Sequence, residues 1–546
     1  MKRGNLIVNT YILQNGLIVD GTGEQPYTAS VLLRDGKIAA IAQNISCPSA
    51  KIIDCTRLAV APGFIDAHSH NDWAFAAEDE AHFIGPFIRQ GITTFVGGNC
   101  GHGVAGFEPD TPFREALSHG IFEAALGGRT ILWSSWHEYH MAMQHKGMMA
   151  NLATLAAHGA SLGSIVGMGT IGASGITPDV ERRVLVLLEQ GMDEGCAGVS
   201  LGLAYRPGNF LRMDQIRTIA ALVKKKDKIL TVHRGVEGCV SQSYPGYTGA
   251  HNVRWLKELF ESLCDTGVKL HLSHVLFPGK ATWRTFDAVI DMIDTYNARG
   301  MDITFDMYPY SLGETEIALQ LPAELPPQFA RMDADPVFRA QCEADYNAFH
   351  DQKGTYTEDM ILCNARGDAY LRGFEGMRLD RIAQARGLSD FENIVDIYKR
   401  TNGRASIYMT YMYAPGQVET EMCHEKVLYM TDAWYEPNCV QNPCVYGSMP
   451  RFLRLSRETG KLPLQTAVAH MTGKTAERFQ LQGRGFIRNG YCADLTIFDP
   501  NTVAEQATVE SPERDCVGME YVFVGGELVC RHGMLLPVHS GKILAV

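Results

Sequence analysis

The hydrophobic pattern of the chain changes twice. Up to residue 62, and again from residue 478, short β-type runs are separated by turn signals such as Asp35-Gly36 and Asn489-Gly490. Runs of this length flanked by Asp-Gly or Asn-Gly are typical of β-hairpins. We therefore expect residues 1–62 and 478–546 to pair into one small β-sandwich domain built from both chain termini.

Between residues 63 and 477, apolar runs alternate with helical stretches such as Glu181–Gly191 and Asp214–Lys226. Alternating strands and helices favour a parallel sheet, and eight strands favour a closed (β/α)8 TIM-type barrel of the α/β class. The eight predicted strands end at Pro62–Asp66, Ile92–Val96, Ser164–Gly167, Gly198–Ser200, Ile229–Val232, Lys269–Leu272, Ile303–Asp306 and Val427–Met430.

The segment between the seventh and eighth predicted strands is too long for one loop and one helix. Residues 311–375 are rich in proline, aspartate and aromatic residues. A long segment of this kind is usually a functional insertion, so we expect it to cover the barrel mouth. The predicted chain has two domains, the β-sandwich and a hydrolase-type barrel over 63–477 that carries this insertion.

Composition narrows the classes of protein to consider. A hydrophobic content of 46% excludes wholesale disorder, and a net charge of −12 lacks the basic footprint of a nucleic-acid-binding protein. The sequence has no apolar run of about 18 residues, so we predict no membrane span. The 14 cysteines form no CxxC pair and no secretion signal is evident, which favours reduced thiols in the cytoplasm. The sequence is compatible with assembly into a homo-oligomer.

The most informative motif is PGFIDAHSHND at residues 62–72. His68 and His70 are two residues apart at the end of an apolar strand, and residues i and i+2 of a strand point to the same face. Two imidazoles at the C-terminal end of one barrel strand can chelate one metal ion. The alternative is a pair of exposed loop histidines, which the position directly after the strand disfavours.

Cys100 ends the second predicted barrel strand in the run TTFVGGNCG. A thiolate is a soft ligand with high affinity for zinc, and the glycines before it let the backbone approach a ligand closely. Taken alone, the residue is better explained as a buried structural cysteine. Its position after a barrel strand, in a chain that carries the HxH motif, favours a metal ligand.

His233 and His274 lie where the fifth and sixth predicted strands end. His271 competes with His274, because residues three apart on a strand face opposite ways and only one can enter the barrel. We favour His274, which is nearer to the C-terminal rim. Each histidine taken singly could be a packing residue, but coincidence explains the whole set poorly.

Asp432 follows the last predicted strand. A carboxylate there can bind a metal, take a proton from its water and later protonate a leaving amine. The alternative role is the capping of the next turn. We predict Asp432 as the catalytic residue and as a metal ligand.

Together these positions resemble the amidohydrolase superfamily and, within it, the D-aminoacylase (N-acyl-D-amino-acid deacylase) family. The resemblance spans most of the chain, and the GNCG and GLxYxPG motifs are specific to that family. The matching segments are Pro62–Asp72, Gly98–Gly101, Ala156–Gly159, Gly198–Gly208, His233-Arg234, Ser273-His274, Asp306–Tyr310, Tyr446–Arg451 and Gly483–Pro500.

The resemblance implies a Zn²⁺-dependent hydrolase of linear amide bonds acting on a small-molecule substrate. It implies one tightly bound zinc at Cys100, His233 and His274, and a second, weaker ion at His68, His70 and Asp432. Zinc would activate a water, whose proton Asp432 would accept and hand to the departing nitrogen. Tyr205 resembles a family residue that contacts substrate, and we expect Arg234 and Tyr310 to face the pocket as well.

Two departures from the family pattern affect the substrate. The family usually has Ser-His-His-Lys after strand six, where this chain has Ser273-His274-Val275-Leu276. It usually has His-Pro-Arg near the last strand, where this chain has Asn442-Pro443-Cys444. Each of the two cations that this chain lacks would bind a substrate carboxylate. We therefore expect a substrate that has no free α-carboxylate, or a site that holds this carboxylate in a different way. Trp434 and Tyr435 would supply an aromatic wall instead.

Two other interpretations remain. A cyclic amidase, like hydantoinases or dihydroorotases, would use the same scaffold, but those enzymes typically bridge their metals with a carboxylated lysine and no lysine ends strand four here. A metal-free structural protein of the dihydropyrimidinase-like kind would be expected to have lost ligands, and this chain retains the whole set.

Overall fold

The computed structural model describes residues 9–119, 122–169, 176–322 and 324–546. The first eight residues of the predicted 1–62 segment therefore lie outside the described residues. Within these ranges, the strands fall into three sheets of nine, eight and three members. Within the described ranges, no helix combines the length and apolar character needed to span a bilayer.

The strands in chain order are β1 (Tyr11–Ile18), β2 (Tyr27–Arg34), β3 (Lys37–Ala42), β4 (Lys51–Asp54), β5 (Ala59–Pro62), β6 (Phe64–Asp66), β7 (Ile92–Gly97), β8 (Asn151–Ala157), β9 (Gly198–Gly202), β10 (Ile229–His233), β11 (Lys269–Leu272), β12 (Asp302–Met307), β13 (Gly313–Glu316), β14 (Met360–Asn364), β15 (Ser406–Met409), β16 (Val427–Tyr429), β17 (Leu495–Phe498), β18 (Met519–Val524), β19 (Glu527–Arg531) and β20 (Met534–Leu535).

The α-helices in chain order are α1 (Asp72–Phe75), α2 (Glu80–Arg89), α3 (Arg114–Ser118), α4 (Trp136–Lys146), α5 (His158–Val166), α6 (Pro178–Asp193), α7 (Met213–Lys225), α8 (His251–Leu263), α9 (Phe286–Ala298), α10 (Phe329–Ala334), α11 (Pro336–Lys353), α12 (Leu379–Arg386), α13 (Asp390–Thr401), α14 (Gln417–Glu421), α15 (Cys444–Thr459), α16 (Leu464–His470) and α17 (Gly473–Arg478). Short 3-10 turns lie at Asn99–Gly101, Glu123–Leu126, Gly208–Phe210, Trp283–Thr285, Ile317–Gln320, Pro326–Gln328, Thr357–Asp359 and Leu371–Phe374.

The nine-stranded sheet joins the two ends of the chain. Its order is β20-β19-β18-β17-β5-β1-β2-β3, with β4 paired to β1. The junction is the antiparallel pair of β5 with β17, in which Pro62 faces Leu495. Leu13 and Val31 from the N-terminal part pack with Ile497 and Phe523 from the C-terminal part, so this sheet encloses a core of its own.

The eight-stranded sheet is parallel and runs β6 to β12 in sequence order, followed by β16. The amide of Ala67, after β6, donates to the carbonyl of Tyr429 at the end of β16 over 3.3 Å, which brings the first and last strands together. This confirms the predicted (β/α)8 barrel. Because the carboxyl ends of parallel strands meet at one rim, the residues that follow these strands converge there.

The helices predicted over Glu181–Gly191 and Asp214–Lys226 correspond to α6 and α7. Helix α6 begins where the Thr177 side chain accepts the amide of Val180 and proline follows at the first helical position. Helix α7 packs an apolar face that includes Ile216, Ile219 and Val223 against the barrel. Both helices thus form for the reasons that their sequence pattern indicates.

The prediction of a third barrel strand ending at Ser164–Gly167 is wrong. Those residues end helix α5 and its cap, and the third strand is β8, which pairs with both β7 and β9. Gly167 adopts a left-handed φ of 83°, which closes the helix. A short apolar run such as Ser164–Val166 does not distinguish a buried helix from a strand.

The segment between β12 and β16 forms a separate three-stranded sheet in the order β13-β15-β14. It is longer than the 311–375 predicted for the insertion, because its central strand β15 reaches Met409. Arg404, just before β15, forms a 2.8 Å ion pair with Glu123, in the long connection that follows β7. This contact ties the insertion to the rim where the candidate ligands lie.

Candidate active site

Six side chains predicted as metal ligands gather at the carboxyl ends of the barrel strands. His68 and His70 follow β6, Cys100 follows β7, and His233 ends β10. His274 follows β11 and Asp432 follows β16. All except Asp432 are at most 4% exposed. The parallel barrel therefore brings together residues that are up to 364 positions apart in the sequence.

Backbone conformation at three of these positions is unusual. Cys100, His274 and Asp432 have positive φ values of 52°, 30° and 46°. Non-glycine residues rarely adopt this region, and such strain persists where the surrounding contacts hold it and often at functional sites. The three ligands thus sit on sharp turns that aim their side chains inward just beyond a strand.

The turn that carries Cys100 is held by strand β9. The Ser200 hydroxyl donates to the carbonyl of Gly98 and accepts the amide of Gly101 over 3.1 Å. Gly202 lies so close that a Cβ placed on it would be 1.9 Å from the carbonyl oxygen of Cys100. The glycine at the end of β9 therefore makes room for the cysteine turn.

The turn that carries Asp432 is held by Asp66 at the end of β6. The Asp66 carboxylate accepts the amide of Thr431 over 2.9 Å and the hydroxyl of Thr431 over 2.6 Å. The amide of Asp432 donates to the carbonyl of His68 over 3.1 Å. These contacts fix Asp432 beside the HxH motif.

Cys100 is the centre of the cluster. Its Sγ lies 3.2 Å from His68 Nε2, 3.4 Å from His233 Nδ1 and 3.5 Å from His274 Nε2. The predicted tighter set of Cys100, His233 and His274 thus comes together. His68, predicted in the second set, is also within reach of Cys100.

Asp432 closes the other side of the cluster. Its Oδ1 lies 3.4 Å from His68 Nε2 and 3.5 Å from His70 Nε2. The carboxylate side chain is 20% exposed, more than the side chains of its two partners. It is therefore both in contact with the cluster and open to a molecule that enters the barrel mouth.

Charges in the cluster balance each other. Burial raises the pKa of the Cys100 thiol. His68, His233 and His274 together lower it by more, so the net pKa lies well below its usual range. Burial lowers the pKa of His68, but Cys100, Asp306 and Asp432 raise it well above its usual value. Burial also raises the pKa of Asp432, yet His68 and His70 keep it below its usual value. The site thus combines a thiolate and a carboxylate with imidazoles.

This donor set fits a bound transition metal. Three overlapping groups have donor atoms within 4.8 Å of one another: His68, Cys100 and His274; His68, His70 and Asp432; and His233, Glu237 and His274. Thiolate and imidazole suit zinc, and carboxylate completes sites of this kind. The Nδ1 atoms of His70 and His274 are buried and form no hydrogen bond to any described residue. Buried polar atoms are normally paired, so unpaired ring nitrogens fit a site that holds a further ligand.

The choice of His274 over His271 agrees with their surroundings. His271 directs Nδ1 to Thr304 Oγ1 at 2.7 Å and Nε2 to Asp306 Oδ2 at 2.8 Å, inside the barrel wall. Asp306 also lies 3.3 Å from His68 Nδ1 and accepts the amide of His274. Asp306 is therefore a support for two candidate ligands, a role that its place in the DMYPY motif did not indicate.

Tyr205 and Trp434, predicted to contact substrate, both border the cluster. The Tyr205 ring centroid is 4.6 Å from that of His233, and the Trp434 ring is 5.8 Å from that of His70. Phe122 stacks on His70 at 4.5 Å and meets Trp434 edge-on at 4.8 Å. An aromatic wall thus stands beside Asp432.

Arg234 and Tyr310 do not take the positions predicted for them. The Arg234 guanidinium is fully buried, donates to the carbonyl of Leu276 over 2.9 Å and lies 3.7 Å from Glu237 Oε1. The Tyr310 hydroxyl donates to the carbonyl of Ala507 over 3.3 Å, and Arg451 covers its ring. The hydroxyl of Tyr310 is therefore engaged away from the cluster, whereas Arg234 approaches the cluster through Glu237.

Two further residues reach the site without having been predicted. Glu237 Oε1 lies 3.2 Å from His274 Nδ1. Tyr308, directly after β12, is buried, and burial followed by the charge of Asp432 raises its pKa well above its usual value. An acidic residue four positions after His233 and a tyrosine directly after β12 were the available signals.

Comparison with known proteins gives one family match and many relatives. The model described as "Amidohydrolase family" matches residues 438–530. The D-aminoacylase of Alcaligenes xylosoxydans xylosoxydans is 27% identical over 547 residues, covering 98% of this chain and 97% of the relative. The N-acyl-D-glutamate deacylase of the same organism is 28% identical over 517 residues, covering 94% and 92%.

A solved structure matches along nearly the whole chain. It is the N-acyl-D-glutamate deacylase from Bordetella bronchiseptica, complexed with zinc and a phosphonate inhibitor that mimics the tetrahedral intermediate of its reaction. The TM-score is 0.79 at 25% sequence identity, with 98% of this chain and 99% of that chain covered.

Proposed function

Because the chain belongs to the amidohydrolase superfamily, in its D-aminoacylase family, we propose that it is a zinc-dependent hydrolase of a linear amide bond in a small N-acyl compound. The observation that carries this proposal is the convergence of Cys100, four imidazoles and the carboxylate of Asp432 at one rim of the barrel. This set combines soft metal ligands with an acid–base group.

We assign the stronger hold on zinc to Cys100, His233 and His274, and a second, weaker position to His68, His70 and Asp432. His68 borders both positions, since its Nε2 faces Cys100 and Asp432 alike. When bound, zinc supplies a Lewis acid that polarises an amide carbonyl and lowers the pKa of water toward about 7.

Asp432 moves the proton. His68 and His70 keep its carboxylate ionised near neutral pH, so it can accept a proton from the attacking water. Its partly exposed oxygens can then deliver that proton to the departing amide nitrogen. Asp66 and Thr431 hold the turn throughout, which keeps the carboxylate in reach of both groups.

We propose that the substrate lacks the free α-carboxylate that the N-acyl-amino-acid substrates of the family carry. The positions that would carry the two cations are Leu276, 6% exposed, and Cys444, 1% exposed at the start of α15. Lys280, the next cation after His274, is tied to Asp359 at 2.6 Å. Hydrogen bonds to a charged group contribute roughly 1.5–3 kcal/mol each, so losing both cations would weaken carboxylate binding severely.

A substrate panel tests both parts of the proposal. The purified chain is assayed before and after chelation and zinc restoration against N-acetyl-D-amino acids, their L-forms, the matching N-acetyl amines and cyclic amides. We expect zinc-dependent cleavage with higher kcat/KM on N-acetyl amines than on the corresponding N-acetyl-D-amino acids.

Comparable high kcat/KM on ordinary N-acetyl-D-amino acids would refute the substrate assignment and leave the deacylase function in place. Cleavage restricted to cyclic amides would replace it with a cyclic amidase. Activity that survives full removal of metal would overturn the zinc-dependent mechanism.

A further inference from the structure

Glu237 approaches His274 from the side of the ring that faces away from Cys100. His274 Nε2 lies 3.5 Å from Cys100 Sγ, whereas His274 Nδ1 lies 3.2 Å from Glu237 Oε1. The two nitrogens of an imidazole point in different directions, so the ring joins the carboxylate to the thiolate. This is the arrangement in which one nitrogen binds a metal and the other donates to a carboxylate.

A buried cation lies beside Glu237. The Arg234 guanidinium lies 3.7 Å from Glu237 Oε1 and is itself fully buried, held by the carbonyl of Leu276. A buried charge of this kind costs free energy unless it serves a partner.

Neither Glu237 Oε1 nor His274 Nδ1 forms a hydrogen bond to any described residue, so the 3.2 Å ion-pair approach joins two atoms that are not engaged elsewhere by hydrogen bonds. Asp306, the comparable carboxylate beside His68, is in contrast shared with His271 and with the amide of His274. Glu237 thus approaches His274 with Arg234 as a second charged neighbour, while Asp306 is shared among several groups of the rim.

We propose that Glu237 is the positioning residue of His274: it accepts the Nδ1 proton and holds the Nε2 lone pair toward Cys100, which sets the affinity of the tighter metal position. This inference rests on the proposed function for the presence of the metal. It concerns metal affinity, which is measured without any substrate.

Glu237 could instead bind a separate ion together with His233 and His274, since their donor atoms also lie close together. Such an ion would have to use His274 Nδ1, on the side away from Cys100. The 3.2 Å distance between Nδ1 and the carboxylate lies within ion-pair range, and the two arrangements give different metal stoichiometries.

The test compares the full-length wild type with Glu237→Gln and Glu237→Ala. Zinc affinity is measured by chelator competition, metal stoichiometry by elemental analysis, and the Cys100 bond by the thiolate-to-metal absorption band of the Co²⁺-loaded protein. Glu80→Gln serves as a control, because the carboxylate of Glu80 also pairs with a cationic side chain, Lys146, but lies away from the cluster.

We expect Glu237→Ala to bind zinc 10- to 100-fold more weakly, in line with the loss of other carboxylates behind metal-binding histidines. Glu237→Gln should lose less, because its amide oxygen still accepts the Nδ1 proton. The Co²⁺ band should persist in both variants with an altered ligand-field spectrum, and Glu80→Gln should match the wild type. If Glu237→Ala does not fold, the glutamine variant and its Co²⁺ spectrum carry the comparison.

Wild-type zinc affinity and an unchanged Co²⁺ spectrum in Glu237→Ala would overturn the inference. So would the loss of one whole ion per chain with the tighter site intact, which would make Glu237 a ligand. A wild type that takes up no metal would overturn it together with the proposed function. A wild type that binds zinc through Cys100 but cleaves no amide would refute the proposed function alone.

Discussion

Gly202 offers a sharp test of how the cysteine turn is built. A Cβ added there would lie 1.9 Å from the carbonyl oxygen of Cys100, while real Cβ contacts stay at 3.0 Å or more. Strand β9 is paired on both sides, in register with β8 and β10, so it cannot retreat easily. The Gly202→Ala substitution must therefore push the backbone of Cys100 by about 1.1 Å.

A shift of that size displaces a ligand that lies 3.2–3.5 Å from three imidazole nitrogens. Misplacement of a reacting group by about 1 Å can cost on the order of 100-fold in rate. Overpacking of this kind also costs about 1–3 kcal/mol of stability. We expect Gly202→Ala to lower both zinc affinity and kcat/KM strongly while the barrel still folds.

The assay measures zinc affinity, kcat/KM at saturating zinc and the unfolding temperature of Gly202→Ala. Gly373→Ala is the control, because no heavy atom lies within 4 Å of the added Cβ. If Gly202→Ala keeps zinc affinity and kcat/KM within twofold of Gly373→Ala, the close packing of β9 against the cysteine turn does not position the ligand.

Three other outcomes are expected. Asp432→Asn should lower kcat by about 10²–10⁴-fold, as expected for loss of a general base and acid, and an unfolding temperature close to wild type would separate this from misfolding. Cys100→Ser should purify with less zinc than wild type, and elemental analysis showing equal zinc would remove Cys100 from the ligand set. Burial lowers the pKa of His350 to about 4, so the folded protein favours the neutral imidazole. The unfolded chain takes up the proton as pH falls below about 6.5, and the free energy of unfolding therefore decreases below that pH. At pH 5 this amounts to roughly 2 kcal/mol, so His350→Gln should show a smaller drop in unfolding temperature between pH 7 and pH 5 than wild type.

The residues that sequence reasoning found share one property: they directly end or follow apolar runs. His68, His70, Cys100, His274 and Asp432 could be placed at a common rim because a parallel barrel puts every strand end on the same side. Side-chain direction within a single strand was enough to pair His68 with His70 and to choose His274 over His271. The pairing of His68 with Cys100 as well as Asp432 could not be predicted in this way, because it depends on how two turns face each other.

The structural features that the sequence did not predict correctly also have physical causes. The run at Ser164–Val166 is too short to show whether its period is that of a helix or a strand, and β8 lies just before it. Arg234 and Glu237 lie in a loop, where no periodicity indicates which side chain turns inward. The insertion reaches β15 because a strand far along the chain completes its sheet, and pairing between distant strands leaves no local mark in the sequence.

The β5–β17 pair sets an order of events during synthesis of the protein. Pro62 pairs with Leu495, which the ribosome adds 433 residues later. At translation rates of about 5–20 residues per second, that interval is roughly 20–90 s. During it, β5, which precedes β6 and the HxH motif, has no partner on that edge. Assembly of the metal ligands therefore follows completion of most of the chain, and a ribosome that stalls before Leu495 leaves an edge strand exposed to aggregation.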